Sequence, residues 1–149
     1  HCSVGSPPYF NLRRYSGDEQ ARAWPAVTYA PMVGLPEITV PAERAALGNE
    51  RTLEAYIGHL VLIYREVWRV LRDDGAAWAI CGDSYAGGDL MLVPHRLALA
   101  LQADNWTVRN DCVFAKASPM SESVGGTRWQ RCRVKVESVW NEDTLHPSK

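Results

Sequence analysis

The chain has 149 residues, 46% of them hydrophobic and 22% charged, a balance that fits one folded domain and excludes a disordered polymer. A net charge of −1 excludes a global basic footprint, so any contact with nucleic acid has to come from a local cluster. No charged-then-apolar leader opens it and no apolar stretch approaches the ~18 residues of a membrane span, which points to a reduced, cytoplasmic setting. Six tryptophans offer ample material for a core. Because the chain opens on His1, inside what reads as a strand, it is expected to be a piece of a longer protein.

The run His1-Cys2-Ser3-Val4 reads as the end of a buried strand, followed directly by Gly5-Ser6-Pro7-Pro8-Tyr9. Two consecutive prolines fix both φ angles near −65°, remove two N–H donors and force the preceding residues to be extended. Carbonyls are then left pointing out with no amides beside them. A short hydroxyl and a bare carbonyl can accept the two N–H bonds of an exocyclic amino group, and the neighbouring ring offers a face to a planar base. Such an amino nitrogen donates its lone pair into the ring, so it attacks poorly until acceptors localise that pair. Taken alone, the four residues from Ser6 to Tyr9 read more readily as a turn or polyproline II stub, and the rest of the chain has to decide.

From Ser16 to Asn49 the sequence is rich in Pro, Gly and charge, with Trp24, Tyr29, Pro31, Pro36 and Pro41 scattered through it, and reads as a long irregular connection. Thr52 reads as an N-cap. Tyr56, Leu60, Ile63, Val67, Val70 and Leu71 then recur at helical spacing as one apolar face, and Asp73-Asp74-Gly75 ends the helix. Ala76 to Cys81 reads as a fully buried strand leading into the loop Gly82 to Gly88. A second helix is expected over Val93 to Ala103, with Leu97, Ala100 and Leu101 inward, and a third strand over Thr107 to Ala115, closing on Lys116. This order implies parallel βαβ units with right-handed crossovers and ligands beyond the carboxyl ends of the strands. Ser6 to Tyr9, the Gly82 to Gly88 loop and Lys116 would share that edge.

Beyond it, Arg131-Cys132-Arg133-Val134-Lys135-Val136-Glu137 alternates charged and apolar residues. This suits an ordinary edge strand and, with Arg128 and Trp129 upstream, equally a surface for phosphate or bases. Cys2, Cys81, Cys112 and Cys132 form no Cys-x-x-Cys pair, against a complete zinc site or a disulfide framework. Three lie in apolar strand-like runs and read as buried thiols. None follows a proline, which removes alkylation of a ring carbon through a thiolate.

Several segments, in order, resemble one family. Ser6-Pro7-Pro8-Tyr9-Phe10-Asn11-Leu12-Arg13 resembles the catalytic motif of the β-class amino-methyltransferases, DNA methylases of cytosine N4 or adenine N6. Tyr64 to Gly75, Trp78, Gly82-Asp83-Ser84-Tyr85, Asp89-Leu90 with Val93-Pro94-His95-Arg96, Asp111 to Lys116 and Pro119 to Val124 continue the likeness. The resemblance implies an α/β, Rossmann-like fold that uses S-adenosylmethionine, here partial, with about three strands of the sheet. It implies that Ser6 and the Pro7 carbonyl bind the target amine, Pro8 holds the loop and Tyr9 stacks on a flipped base. Tyr9, Arg13, Lys116, Arg128, Arg131 and Arg133 are the expected contacts to double-stranded DNA, with a cognate restriction nuclease as a further expected partner. Serine in the first motif position looks more like the cytosine-N4 enzymes, adenine N6 being the alternative.

Residues 1–124 are thus expected to be the catalytic half of a methyltransferase domain, with 16–49 an irregular loop and 125–149 the start of a target-recognition insert. No Asp-Pro-Phe-x-Gly-Ser-Gly-like loop for the cofactor occurs, and the family's permuted order places it beyond Lys149. Ala117-Ser118 and Ser121 depart from the family's pattern. Two other readings compete. Gly82-Asp83-Ser84 with Asp143-Thr144-Leu145-His146 imitates the blocks of serine esterases, with Ser84 as nucleophile, His146 as base and Asp143 orienting it. The piece could also be a non-catalytic, DNA-binding remnant.

Overall fold

A computed structural model describes residues 1–12 and 21–114. The chain divides after Asn110. Among the described residues all the regular elements lie in the first part; of the second, only residues 111–114 are described, and they carry no regular secondary structure. The third strand expected from Thr107 is therefore absent over residues 107–114. Its composition suits a strand, but a strand exists only through pairing, and no partner pairs with it among the described residues.

The opening run forms β1, Cys2–Gly5. The stretch expected to be irregular instead holds four short strands within its described part: β2 (Arg22–Trp24), β3 (Val27–Tyr29), β4 (Ile38–Val40) and β5 (Glu43–Ala45). β2 pairs with β5 and β3 with β4, both antiparallel and in one continuing register. The interruption falls where Pro25-Ala26 face Pro41-Ala42, because a proline has no N–H to give to a ladder. The prolines that suggested irregularity thus punctuate a ribbon. Thr28 and Thr39 link their hydroxyls across it at 2.9 Å.

Helix α1 spans Leu53–Val70, and the Thr52 hydroxyl caps it by accepting from the Ala55 N–H at 3.1 Å. Its first half is buried nearly all round, from Leu53 and Ala55 through Val61, while Trp68 and Val70 near its end are exposed. Tyr56, Leu60 and Val61 are fully buried, each stabilising the fold by roughly 1.5–3 kcal/mol. Gly58 lets the ribbon lie against the helix: a Cβ there would come within 2.8 Å of Val27 and 3.1 Å of Tyr29. The Tyr29 hydroxyl donates to the Glu54 carbonyl at 2.9 Å, and Arg65 grips both carboxylate oxygens of Asp104 and the Thr28 carbonyl.

β6 (Ala76–Ala79) pairs parallel with β1, Val4 opposite Trp78 and Gly5 opposite Ala79, as the βαβ reading requires. It is not the fully buried strand expected. Ala77 and Cys81 pack on the core while Trp78 and Ile80 are exposed, since only one face of this pair is covered among the described residues. Of the described tryptophans, Trp106 alone packs against the core, which is built instead on Tyr29, Tyr56 and Tyr64 with aliphatic neighbours. Cys2 and Cys112 are exposed, so of the described cysteines only Cys81 lies against the core. The loop after β6 contains a hairpin, β7 (Tyr85–Ala86) and β8 (Asp89–Leu90), whose turn residues Gly87 and Gly88 both have the positive φ that a tight hairpin demands. Helix α2 follows over Val93–Ala103, burying Val93, Leu97, Ala100 and Leu101.

Candidate active site

β1 delivers Ser6 to Tyr9 at its carboxyl end, and the adjacent end of β6 delivers Cys81 to Ser84 beside them. Ser6 is exposed; Pro7, Pro8 and Tyr9 are half-buried. Phe10, by contrast, is buried, its ring centroid 5.4 Å from that of Tyr56, and anchors the loop in the core. The Tyr9 ring packs on the backbone of Gly82: a Cβ added there would fall 2.5 Å from the ring. A glycine is thus the only residue that lets the ring settle on this strand end.

The two prolines of the loop cannot donate, so what holds it arrives at its carbonyls and flanks. Pro8's carbonyl accepts from the Tyr56 hydroxyl at 2.8 Å. Asn11, at positive φ, donates its N–H to the Gly48 carbonyl at 2.9 Å. Gly48 itself has φ +93°, and a Cβ on it would stand 2.9 Å from the Tyr9 carbonyl and 3.2 Å from that of Pro8. The Gly48 N–H donates to one Glu50 carboxylate oxygen at 2.8 Å, while the other meets His59 Nδ1 at 3.0 Å. Glu50 and His59 are fully buried, and Trp24 stacks on the imidazole at 4.4 Å. His59 Nε2 has no partner among the described residues.

Burial raises the Tyr56 phenol far above its usual range, with the nearby Cys81 adding to the effect, so the hydroxyl is held neutral and donates to Pro8. Burial likewise pushes the Cys81 thiol up to about 11, and the nearby Asp83 carboxylate adds to the effect. A thiol in that state is no nucleophile at neutral pH. Asp83 serves structure: one of its oxygens accepts from the N–H groups of Ser84 at 2.8 Å and Val93 at 3.0 Å, capping α2. The Ser84 hydroxyl faces the Met91 sulfur at 3.5 Å.

Of the residues singled out from sequence, Ser6, Pro7, Pro8 and Tyr9 are brought together at one strand end, with Gly82 beside them. Arg13, Lys116, Arg128, Arg131 and Arg133 lie outside the described residues, as do Cys132, Asp143 and His146. Sequence reasoning missed Tyr56, Gly48, Glu50 and His59. Tyr56 was legible only as part of an apolar face, and nothing in spacing signals a hydroxyl on a carbonyl 48 residues away.

A family model described as "DNA methylase", of the N6/N4 group, matches residues 1–139. The chain is 38% identical to the type II methyltransferase M.SfiI of Streptomyces fimbriatus, over 81% of this chain and 27% of that protein. It is 33% identical to M.XycI of Xanthomonas campestris pv. cyanopsidis and 32% identical to M.Cfr9I of Citrobacter freundii, in each case over 83% of this chain and 42% of the relative. The chain thus spans less than half the length of these relatives. No solved structure matches it. DNA methylases of this kind use S-adenosylmethionine. The sequence from His1 to Lys149 carries no glycine loop for the adenosyl moiety, so the described residues supply the side of the target amine and not the hold on that group.

Proposed function

Since this chain belongs to the N6/N4 DNA methylase family, we propose that its full-length protein methylates the exocyclic amino group of a flipped base in double-stranded DNA, cytosine N4 before adenine N6. S-adenosylmethionine supplies the electrophilic methyl group. The observation that carries the reading is the division of labour between two successive carbonyls. Pro8's is tied back to Tyr56, whereas Pro7's has no partner among the described residues and stands next to the exposed Ser6. Ser6 and the Pro7 carbonyl accept the two N–H bonds of the amine and turn its lone pair out of conjugation with the ring. Holding the nitrogen in line this way is worth up to roughly 7–11 kcal/mol of barrier. Tyr9, backed by Gly82, stacks on the extruded base. The neutral Cys81 fits a reaction in which nitrogen itself attacks and no enzyme–base adduct forms.

In this reading residues 1–124 are the catalytic half of a Rossmann-like domain and residues 125–149 begin a target-recognition insert. Arg13, Lys116, Arg128, Arg131 and Arg133 then contact the phosphates and bases. The type II designation of the relatives supports a cognate restriction nuclease and a cytoplasmic setting. The test is to incubate the full-length gene product with duplex DNA and tritiated S-adenosylmethionine and digest to nucleosides. Labelled N4-methylcytosine is the expected product, N6-methyladenine overturns the base assignment, and DNA without label overturns the activity.

A further inference from the structure

We propose that Tyr56, backed by the buried Glu50–His59 pair, is the positioning apparatus of the base-binding loop, an inference that rests on the base-binding role of Ser6 to Tyr9. The loop has a structural problem of its own making. Its prolines supply the bare carbonyls that an amine needs, yet they strip the loop of the N–H groups that would ordinarily fix it. Rigidity has to come from donors elsewhere, aimed at the carbonyl that is not used for the base. The Tyr56 hydroxyl on the Pro8 carbonyl, at 2.8 Å, is that donor. Hydrophobicity does not explain it, because a phenylalanine would bury the same ring.

The second anchor comes from the same helix. His59 follows Tyr56 by three residues, so both project from one side of α1. His59 holds Glu50 at 3.0 Å, Glu50 holds the Gly48 N–H at 2.8 Å, and Gly48 receives the Asn11 N–H while standing against the Pro8 and Tyr9 carbonyls. The loop is therefore clasped on both sides of Tyr9 by a single rigid element, through groups other than those this reading assigns to the base. A displacement of ~1 Å at a reacting group can cost about 100-fold in rate, so a brace of this kind acts on the chemical step rather than on DNA affinity.

The experiment compares Tyr56→Phe with Tyr29→Phe in the full-length protein. Both remove one hydroxyl from a buried tyrosine that donates to a backbone carbonyl, Pro8 in one case and Glu54 in the other. Both variants are expected to lower Tm. Only Tyr56→Phe is expected to slow single-turnover methylation, by ~10- to 100-fold, with the Kd for duplex DNA held within about twofold. Equal rates in the two variants, or a Tyr56→Phe loss that lies wholly in Kd, would overturn the proposal. Should Tyr56→Phe fail to fold, Glu50→Ala replaces it: the Gly48 N–H then loses its acceptor and His59 Nδ1 its partner, and the same loss of rate is expected against the same control. A wild-type protein that transfers no methyl group sinks the functional reading itself, and the brace with it, whereas an active wild type with an equally active Tyr56→Phe sinks the brace alone.

Discussion

Tyr9 and Tyr56 mark what single residues reveal and conceal. The Ser6 to Tyr9 loop was legible because prolines act on their own backbone, whatever the tertiary context. The role of Tyr56 was not, since helical periodicity reports which face is buried and not what a hydroxyl at its edge will meet. Burial also makes a prediction about pH. Cys81 is raised from 9.0 to about 11 and Tyr29 from 10.0 to about 12, burial being the first cause in both, and Tyr56 is raised further. These groups lose their protons more readily when the chain is unfolded, so alkali favours the unfolded form. Tm of the full-length protein should hold from neutral pH to about 9 and fall between 9 and 11, and Cys81→Ala should move the onset upward towards the tyrosine range. A Tm that stays level across that window would contradict the burial described here.

At the scale of elements, helices were more legible than strands. Thr52, the spacing of Tyr56 and Leu60, and the run from Val93 are local signals, and α1 and α2 lie where they point. The ribbon of β2 to β5 was hidden because its prolines read as irregularity, when Pro25 faces Ala42 and Pro41 faces Ala26 at a break in an otherwise continuous register. The covering of β6 was overestimated, since a continuous apolar run cannot say how many faces are packed. Two substitutions test α1. Thr52→Ala removes the cap and should cost about 1 kcal/mol. Gly58→Ala improves helix propensity by roughly 1 kcal/mol, yet its methyl would press on Val27 and Tyr29, and overpacking of that kind costs about 1–3 kcal/mol. A net loss in denaturant midpoint is expected for Gly58→Ala; a gain would show that the ribbon does not lie on the helix at this point.

For the molecule as a whole, a net charge of −1 gave no hint of a polyanionic partner, and the case rests on one loop and a family match. Neutralising Arg128, Arg131 and Arg133 in the full-length protein should weaken DNA binding and lower the salt slope by about 1 for each phosphate that these arginines neutralise. A slope identical to that of the wild type would make the segment an ordinary solvated edge. The central claim, that the loop from Ser6 to Tyr9 receives the target base, is tested most directly by the single-turnover methylation rate of full-length Tyr9→Ala beside the wild type. The account predicts a fall of about 100-fold or more with cooperative unfolding retained. A rate equal to that of the wild type would contradict it.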